Sequence, residues 1–429
     1  MSDQCPSTPG CEPRPGGSFS VVIKPIGPKC NLNCRYCYYL EKEQLYAQTR
    51  RFRMSDEVLE IFIRDYIKAH REASEVTFLW QGGEPTLLGR SFFRKALAFQ
   101  RRHCPPGLKI SNALQTNGTL LNERWAEFLG EHDFLVGLSS DGPRRLHDRY
   151  RETRKGAPTF DAVRRALRLL HSEGVAFNTL TVVHCANARH GREVYRFLKD
   201  EGVRFMQFIP LVERLCDDGR LARPTAALDA TTVAPWSVPR QGYGRFMCAV
   251  FDEWLRRDVG SVFVRLFDVQ LGLWSGLPSG LCVFAETCGR GLALEHNGDL
   301  YACDHYVYPS HNLGNIKEHP IGTLARAPQQ RQFGEDKRDL LPRRCRSCEF
   351  LFACNGGCPK HRFSPTPDEE TTLNYLCPSY KYFFGFAGPT LRRMAGLLRQ
   401  GRPPALVSEI FRNLPPSSVK GSGFRMRRI

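Results

Sequence analysis

A parallel α/β sheet, curled into a barrel or half-barrel and followed by a cysteine-rich unit, is the architecture the sequence predicts. Three observations carry that reading. Six short apolar, β-branched runs alternate with helical patterns from Ser18 to about residue 210, which is the signature of βαβ units. Polar, glycine-bearing turns follow those runs, at what would be the C-terminal mouth of the sheet, where such folds keep their sites. Eight of the 17 cysteines crowd between Cys282 and Cys377.

A chain of 429 residues, 41% hydrophobic and 24% charged, can bury a sizeable core in two or three domains. Residues 1–17, MSDQCPSTPGCEPRPGG, are polar and rich in Pro and Gly. They have no apolar core of a secretory signal, so a disordered N-terminus and a cytoplasmic location are expected. No run approaches eighteen apolar residues, so no membrane span is expected. Disulfides are rare in the cytoplasm, and clustered cysteines there read as metal ligands.

The first strand is Val21–Ile23. The stretch Lys29–Tyr38, KCNLNCRYCY, follows it and carries Cys30, Cys34 and Cys37 at C-x3-C-x2-C. A structural zinc site wants four ligands, usually as paired C-x2-C knuckles. Three close thiolates suit an iron–sulfur cube with one iron left open. A zinc or disulfide loop is the alternative at this point.

The helix expected over Ser55–His70 has Ser55 as N-cap and Asp56 and Glu57 in its first turn. Strand Val76–Trp80 leads to Gln81-Gly82-Gly83-Glu84-Pro85, where two glycines allow close backbone approach to a ligand. Helix Ser91–Arg102 and strand Ile110–Leu114 come next, ending in Gln115-Thr116-Asn117-Gly118. Helix Glu123–Glu131 and strand Phe134–Leu138 lead to Ser139-Ser140-Asp141-Gly142. Helix Phe160–Glu173, with Thr159 as cap and Gly174 as stop, precedes strand Phe177–Val183. Helix Gly191–Glu201, stopped by Gly202, precedes strand Phe205–Ile209 and then Pro210-Leu211-Val212. Residues 216–244 read as a long surface loop anchored by Trp236, followed by helices Phe246–Arg256 and Phe267–Ser275.

The cysteine-rich segment runs Cys282-x5-Cys288-x14-Cys303, then Cys345-x2-Cys348-x5-Cys354-x3-Cys358, then Cys377. Leu292 to Tyr301 reads as a hairpin turning at Asn297-Gly298. Eight thiolates make two four-cysteine sites, as zinc ribbons or as clusters. The net charge is +17, of which +8 falls between Pro389 and Ile429, nine Lys/Arg against Glu409. That end reads as a solvated basic tail; without a nucleic-acid motif beside it, nucleic-acid binding is not expected. Deleting it from Pro389 onward is expected to leave turnover nearly unchanged.

Taken together, the C-x3-C-x2-C loop, QGGEPTLLG, NALQTNG, FLVGLSSDGP, FMQFIPLVE, NGDLYACDHYV and C-x2-C-x5-C-x3-C resemble the radical S-adenosylmethionine (SAM) enzymes with a SPASM extension. Among these the chain is similar to the anaerobic sulfatase-maturating enzymes, over about residues 18 to 385. The resemblance implies a partial (β/α)6 TIM-like barrel over 18–250 and a SPASM domain over 251–385; the basic tail, 386–429, lies outside it. It implies oxidation of a cysteine or serine in a sulfatase polypeptide to Cα-formylglycine, with three [4Fe–4S] clusters and SAM as cofactors. A reduced flavodoxin- or ferredoxin-like protein would supply electrons. By matching motif, Cys30, Cys34 and Cys37 would hold the SAM-binding cluster, and Tyr36, Gly83, Ser139, Arg151 and Val212 would contact SAM. Cys282, Cys288, Cys303 and Cys358 would bind one auxiliary cluster; Cys345, Cys348, Cys354 and Cys377 would bind the other. Asp304 would be the catalytic base, with His305 beside it as the alternative. The competing functions are another peptide-modifying SPASM enzyme, forming a thioether or carbon–carbon crosslink, and a zinc-ribbon nucleic-acid-binding protein.

Overall fold

The computed structural model describes residues 19–412 apart from 50, 228–230 and 367–368. The expected disordered N-terminus, with Cys5 and Cys11, and the chain beyond 412 lie outside the described residues.

Six strands, β1 (Ser20–Lys24), β2 (Glu75–Trp80), β3 (Lys109–Thr116), β4 (Leu135–Ser139), β5 (Phe177–Val183) and β6 (Phe205–Pro210), pair in sequence order, all parallel. The helices between them lie close to their expected ranges. Ser55 caps the helix Asp56–Ala69 by accepting from the Val58 amide. Thr159 does not cap the helix Phe160–Ser172. Its hydroxyl donates to the Arg151 carbonyl, and Asp148 takes the amides of Thr159 and Phe160 instead. A carboxylate eleven residues away displaces the local cap because the 148–160 loop folds back on itself. The expected loop over 216–244 contains a short antiparallel ribbon, β7 (Arg214–Cys216) with β8 (Thr231–Val233), and Trp236 is only half-buried.

Both edges of the sheet are extended by segments beyond residue 250. β9 (Phe263–Val264) pairs with β6. The hairpin of β10 (Gly291–Glu295) and β11 (Asp299–Tyr301) forms as expected, with Gly298 at φ +96°, and β12 (Asn312–Asn315) pairs with β11. Less expected, β10 lies parallel against β1, Ser20 opposite Gly291 through Lys24 opposite Glu295. One ten-stranded sheet, open between β12 and β9, therefore joins the partial barrel to the cysteine-rich segment. One apolar core, from Phe19 through Leu313 to Met394, spans both. The register brings Lys24 and Glu295, the last residues of two strands distant in sequence, to the same mouth.

The basic tail expected from residue 386 is a correction. Helix Cys377–Arg399 runs through it and packs on helices Gly242–Arg257 and Arg265–Trp274. Pro389 removes one helical hydrogen bond. Phe384, Ala387, Leu391, Met394 and Ala395, on both sides of it, are buried and outweigh that loss. Val407 is buried further on. Arg392, Arg393 and Arg399 lie on the exposed face of this helix, the basic residues beyond 412 lie outside the described residues, and a cut at Pro389 would unroof the core. Leu391→Ala should lower stability by about 2–5 kcal/mol, the usual range for emptying a buried leucine site. Thermal melting of the two proteins tests this, and an unchanged midpoint would show that the helix is dispensable.

Candidate active site

The C-terminal ends of β1 to β6 open into a cavity of about 490 Å³. Tyr36, Gly83, Ser139, Arg151 and Val212 all line it, as do Asp304 and His305. So do Cys30, Cys34 and Cys37, together with Cys282, Cys288, Cys303 and Cys358. A second cavity, about 330 Å³, is lined by Cys345, Cys348, Cys354 and Cys377. Cys104, Cys185, Cys216 and Cys248 line neither. The fold thus sorts eleven cysteines into one group of three and two groups of four, and cysteines of one group are one another's electrostatic neighbours.

The cysteine loop is held from two sides. Its Asn33 and Arg35 amides donate to the carbonyls of Glu152 and Tyr150 (2.8 and 3.1 Å). Against it lies Gln81–Glu84, whose Gly83 and Glu84 amides donate to the carbonyls of Gly27 and Lys29 (2.8 and 2.9 Å). A Cβ on Gly83 would fall 1.9 Å from the Lys29 oxygen. The close approach that requires this glycine is therefore to the cysteine loop's own backbone. Buried Glu84 ties β2 to β3, accepting from the Thr86 amide and hydroxyl, the Thr116 hydroxyl and the Asn117 amide.

Burial pushes the Cys30, Cys34 and Cys288 thiols up to about 11, 12 and 11, and Cys354 to about 12. Opposing this, backbone N–H groups two residues ahead donate to sulfur at Cys30, Cys37, Cys303, Cys354 and Cys358. Such donors serve an electron-rich thiolate. Cysteines that gather in threes and fours, several of them supplied with amide donors, fit metal-bound thiolates, and so fit iron–sulfur clusters.

Two networks, one buried and one part-buried, flank the three-cysteine group. In the first, Arg151 donates Nε and Nη2 to the two oxygens of Asp141 (2.8 and 3.2 Å), and Tyr36 Oη donates to Asp141 Oδ2 (2.6 Å). Burial alone would raise the Asp141 pKa; Arg151 outweighs it and holds the carboxyl low. In the second, Lys24 Nζ lies 2.5 Å from Asp304 Oδ1, and Tyr38 Oη donates to Oδ2 (2.5 Å). Lys24 is almost wholly buried and also faces the Tyr39 ring at 4.3 Å. Burial again works to raise the Asp304 pKa, and Lys24, His305 and Tyr38 together hold it at about 2. Burial, then Lys360, pushes the His305 imidazole down to about 3, and its Nδ1 has no hydrogen-bond partner among the described residues.

Known proteins share this arrangement. The radical SAM superfamily matches residues 25–198, and an iron–sulfur cluster-binding domain, SPASM, matches residues 282–349. The serine-type anaerobic sulfatase-maturating enzyme of Bacteroides thetaiotaomicron is 41% identical over 395 residues, covering 92% of this chain and 95% of its own. The chain belongs to the anaerobic sulfatase-maturating enzymes. The cysteine-type enzyme of Clostridium perfringens is 35% identical over 383 residues, 89% of this chain and 99% of its own. The solved structure described as native anSMEcpe with bound AdoMet and Cp18Cys peptide superposes with a TM-score of 0.76 at 35% identity, covering 89% of this chain and all of that one. Streptococcus suis SuiB, at 15% identity and a TM-score of 0.54, shares the fold alone. Radical SAM and SPASM domains bind [4Fe–4S] clusters and SAM, which sets aside the zinc-ribbon reading of the cysteines.

In this family member, three site residues escaped sequence reasoning. Asp141 was legible only as a polar strand end, yet it orients both Tyr36 and Arg151. Lys24 reads as the end of an apolar strand, and its partner lies 280 positions away. Tyr38 lies in the cysteine loop, but nothing local shows that it reaches Asp304. No helix of the described residues is long and apolar enough to cross a membrane.

Proposed function

We propose that this chain oxidises a cysteine or serine side chain of a sulfatase polypeptide to Cα-formylglycine under anaerobic conditions. One observation carries the reading: a single cavity holds the three-cysteine loop, the expected SAM contacts, Asp304 and the first four-cysteine group. Cys30, Cys34 and Cys37 would hold the SAM-binding cluster. Cys282, Cys288, Cys303 and Cys358 would hold the first auxiliary cluster, and Cys345, Cys348, Cys354 and Cys377 the second. When bound, SAM and the clusters supply a 5′-deoxyadenosyl radical and the electron acceptors that the oxidation needs.

The chain's own side chains supply placement and a proton acceptor. Tyr36, Gly83, Ser139, Arg151 and Val212 would contact SAM. Asp141 fixes two of these before SAM arrives, so little is lost in ordering them. Asp304 Oδ takes the proton that the substrate's thiol or hydroxyl must lose. Lys24 keeps that carboxyl ionised, the state an acceptor needs.

A reduced flavodoxin- or ferredoxin-like carrier fits the basic residues lining the second cavity, Arg240, Arg344 and Lys381. Serine-type relatives are nearer in sequence than cysteine-type ones, 41% against 35%, which favours serine without removing cysteine. Anaerobic incubation of the reduced protein and SAM with matched Ser and Cys sulfatase peptides tests the reading by product mass. Formylglycine from either peptide is the expected result. A crosslinked peptide, or 5′-deoxyadenosine with no peptide change, would overturn it.

A further inference from the structure

A single turn joins the two four-cysteine groups, running from Cys354 of one to Cys358 of the other. Its linking residues, Asn355, Gly356 and Gly357, are all left-handed, with φ of 46°, 71° and 63°. That winding aims the carbonyls of Gly356 and Asn355 at the Arg362 guanidinium, which donates from Nε and Nη2 (3.2 Å each). A Cβ on Gly356 would fall 2.3 Å from Leu341 Cδ2 and 2.7 Å from an Arg362 nitrogen, so the glycine leaves room for both side chains over the turn. The guanidinium lies within electrostatic reach of Cys345 and Cys354 on one side and Cys358 and Cys288 on the other.

A second cation serves one group only. Lys337, on helix Pro328–Asp339, is 1% exposed. Its ammonium donates to the carbonyls of Cys282 (2.8 Å), Val283 (3.2 Å) and Ala285. Its cysteine neighbours are Cys288, Cys282 and Cys358, all of the first group. Among the described residues, neither cation forms an ion pair with a carboxylate. A buried ammonium and a neighbouring half-buried guanidinium whose counter-groups are carbonyls and cysteine sulfurs are costly unless the sulfur side carries negative charge. A thiolate-ligated [4Fe–4S] cluster carries that charge, and more of it when reduced.

We propose that Arg362 and Lys337 are the built-in counter-charges of the auxiliary clusters and set their reduction potentials, Arg362 acting on both and Lys337 on the first alone. A fixed positive charge favours the reduced, more negative cluster and raises its potential. This rests on the cluster reading of the two groups, and iron content distinguishes failure of that reading from failure of this one.

The test is an EPR-monitored redox titration of the reconstituted holoenzyme, with iron measured on every sample. The auxiliary signals are those kept when Cys30, Cys34 and Cys37 are replaced by alanine. Lys337→Gln should keep full iron and lower one auxiliary potential, the reduced fraction at fixed potential falling about tenfold, or about 59 mV for one electron. Arg362→Gln should lower both. Arg362→Lys, which keeps the charge, should hold both near wild type. Wild-type protein that takes up no auxiliary iron would sink the cluster reading itself. Full iron with unmoved potentials in Lys337→Gln overturns the proposal, as does loss of the first cluster there, which would make the lysine a folding anchor. A lysine at 362 that falls as far as glutamine overturns the charge argument.

Discussion

Replacing Cys30, Cys34 and Cys37 together by alanine is expected to take iron from about twelve per chain to about eight and to abolish 5′-deoxyadenosine formation. The two four-cysteine groups lie on other segments and share no cysteine with this one. The loop should keep its path, because backbone bonds fasten it: Asn33 and Arg35 to the 150–152 segment, Gly83 and Glu84 to Gly27 and Lys29. Alanine disturbs none of these, and it removes three half-buried thiols that no backbone–backbone bond of the loop depends on. Iron analysis and nucleoside chromatography on the same sample decide it. A triple variant that keeps all its iron and still cleaves SAM would show that the open-iron cluster is held elsewhere.

Asp304→Asn is expected to lower formylglycine formation by about a hundredfold or more, the scale of a lost general base. SAM cleavage should continue, because the cysteines and the proposed SAM contacts are untouched. The ratio of peptide product to 5′-deoxyadenosine is therefore the quantity to follow. The structure adds a cost to this variant. Lys24, 1% exposed, loses its anionic partner, and a buried ammonium left unpaired destabilises the fold. A lower melting temperature is thus expected beside the lower ratio, and the ratio does not depend on how much protein is folded. The loss should be larger with a serine peptide than with a cysteine one, since an alcohol is a far weaker acid than a thiol. An unchanged ratio at an unchanged rate would remove Asp304 from the reaction and leave His305, whose Nδ1 is unpartnered, as the group to replace next.

How much of this was legible follows from what each signal depends on. The six parallel strands and the helices between them are local patterns, and they form close to where the periodicity puts them. The cysteine groups are also local in part: Cys30, Cys34 and Cys37 occupy one loop, and Cys345, Cys348 and Cys354 one segment. Motif resemblance supplied the rest of the sorting. The C-terminal helix was misjudged because the charges of residues 389–412 are visible in sequence, whereas the burial of Leu391, Met394 and Val407 exists only against a core built elsewhere.

By itself, then, the sequence determined the parallel sheet, the thiol-rich chemistry and the mouth at which it gathers. These depend on residue spacing along one strand, helix or loop, and spacing is what a sequence records. Only the tertiary structure decided what surrounds each group of the candidate site. The β1–β10 pairing brings Lys24 to Asp304, the 150-segment brings Arg151 to Asp141, and the left-handed turn at 355–357 holds Arg362 near cysteines of both groups. Electrostatic partners of this kind are chosen by distance in space, and a strand pairing across 270 residues leaves no local mark on the chain.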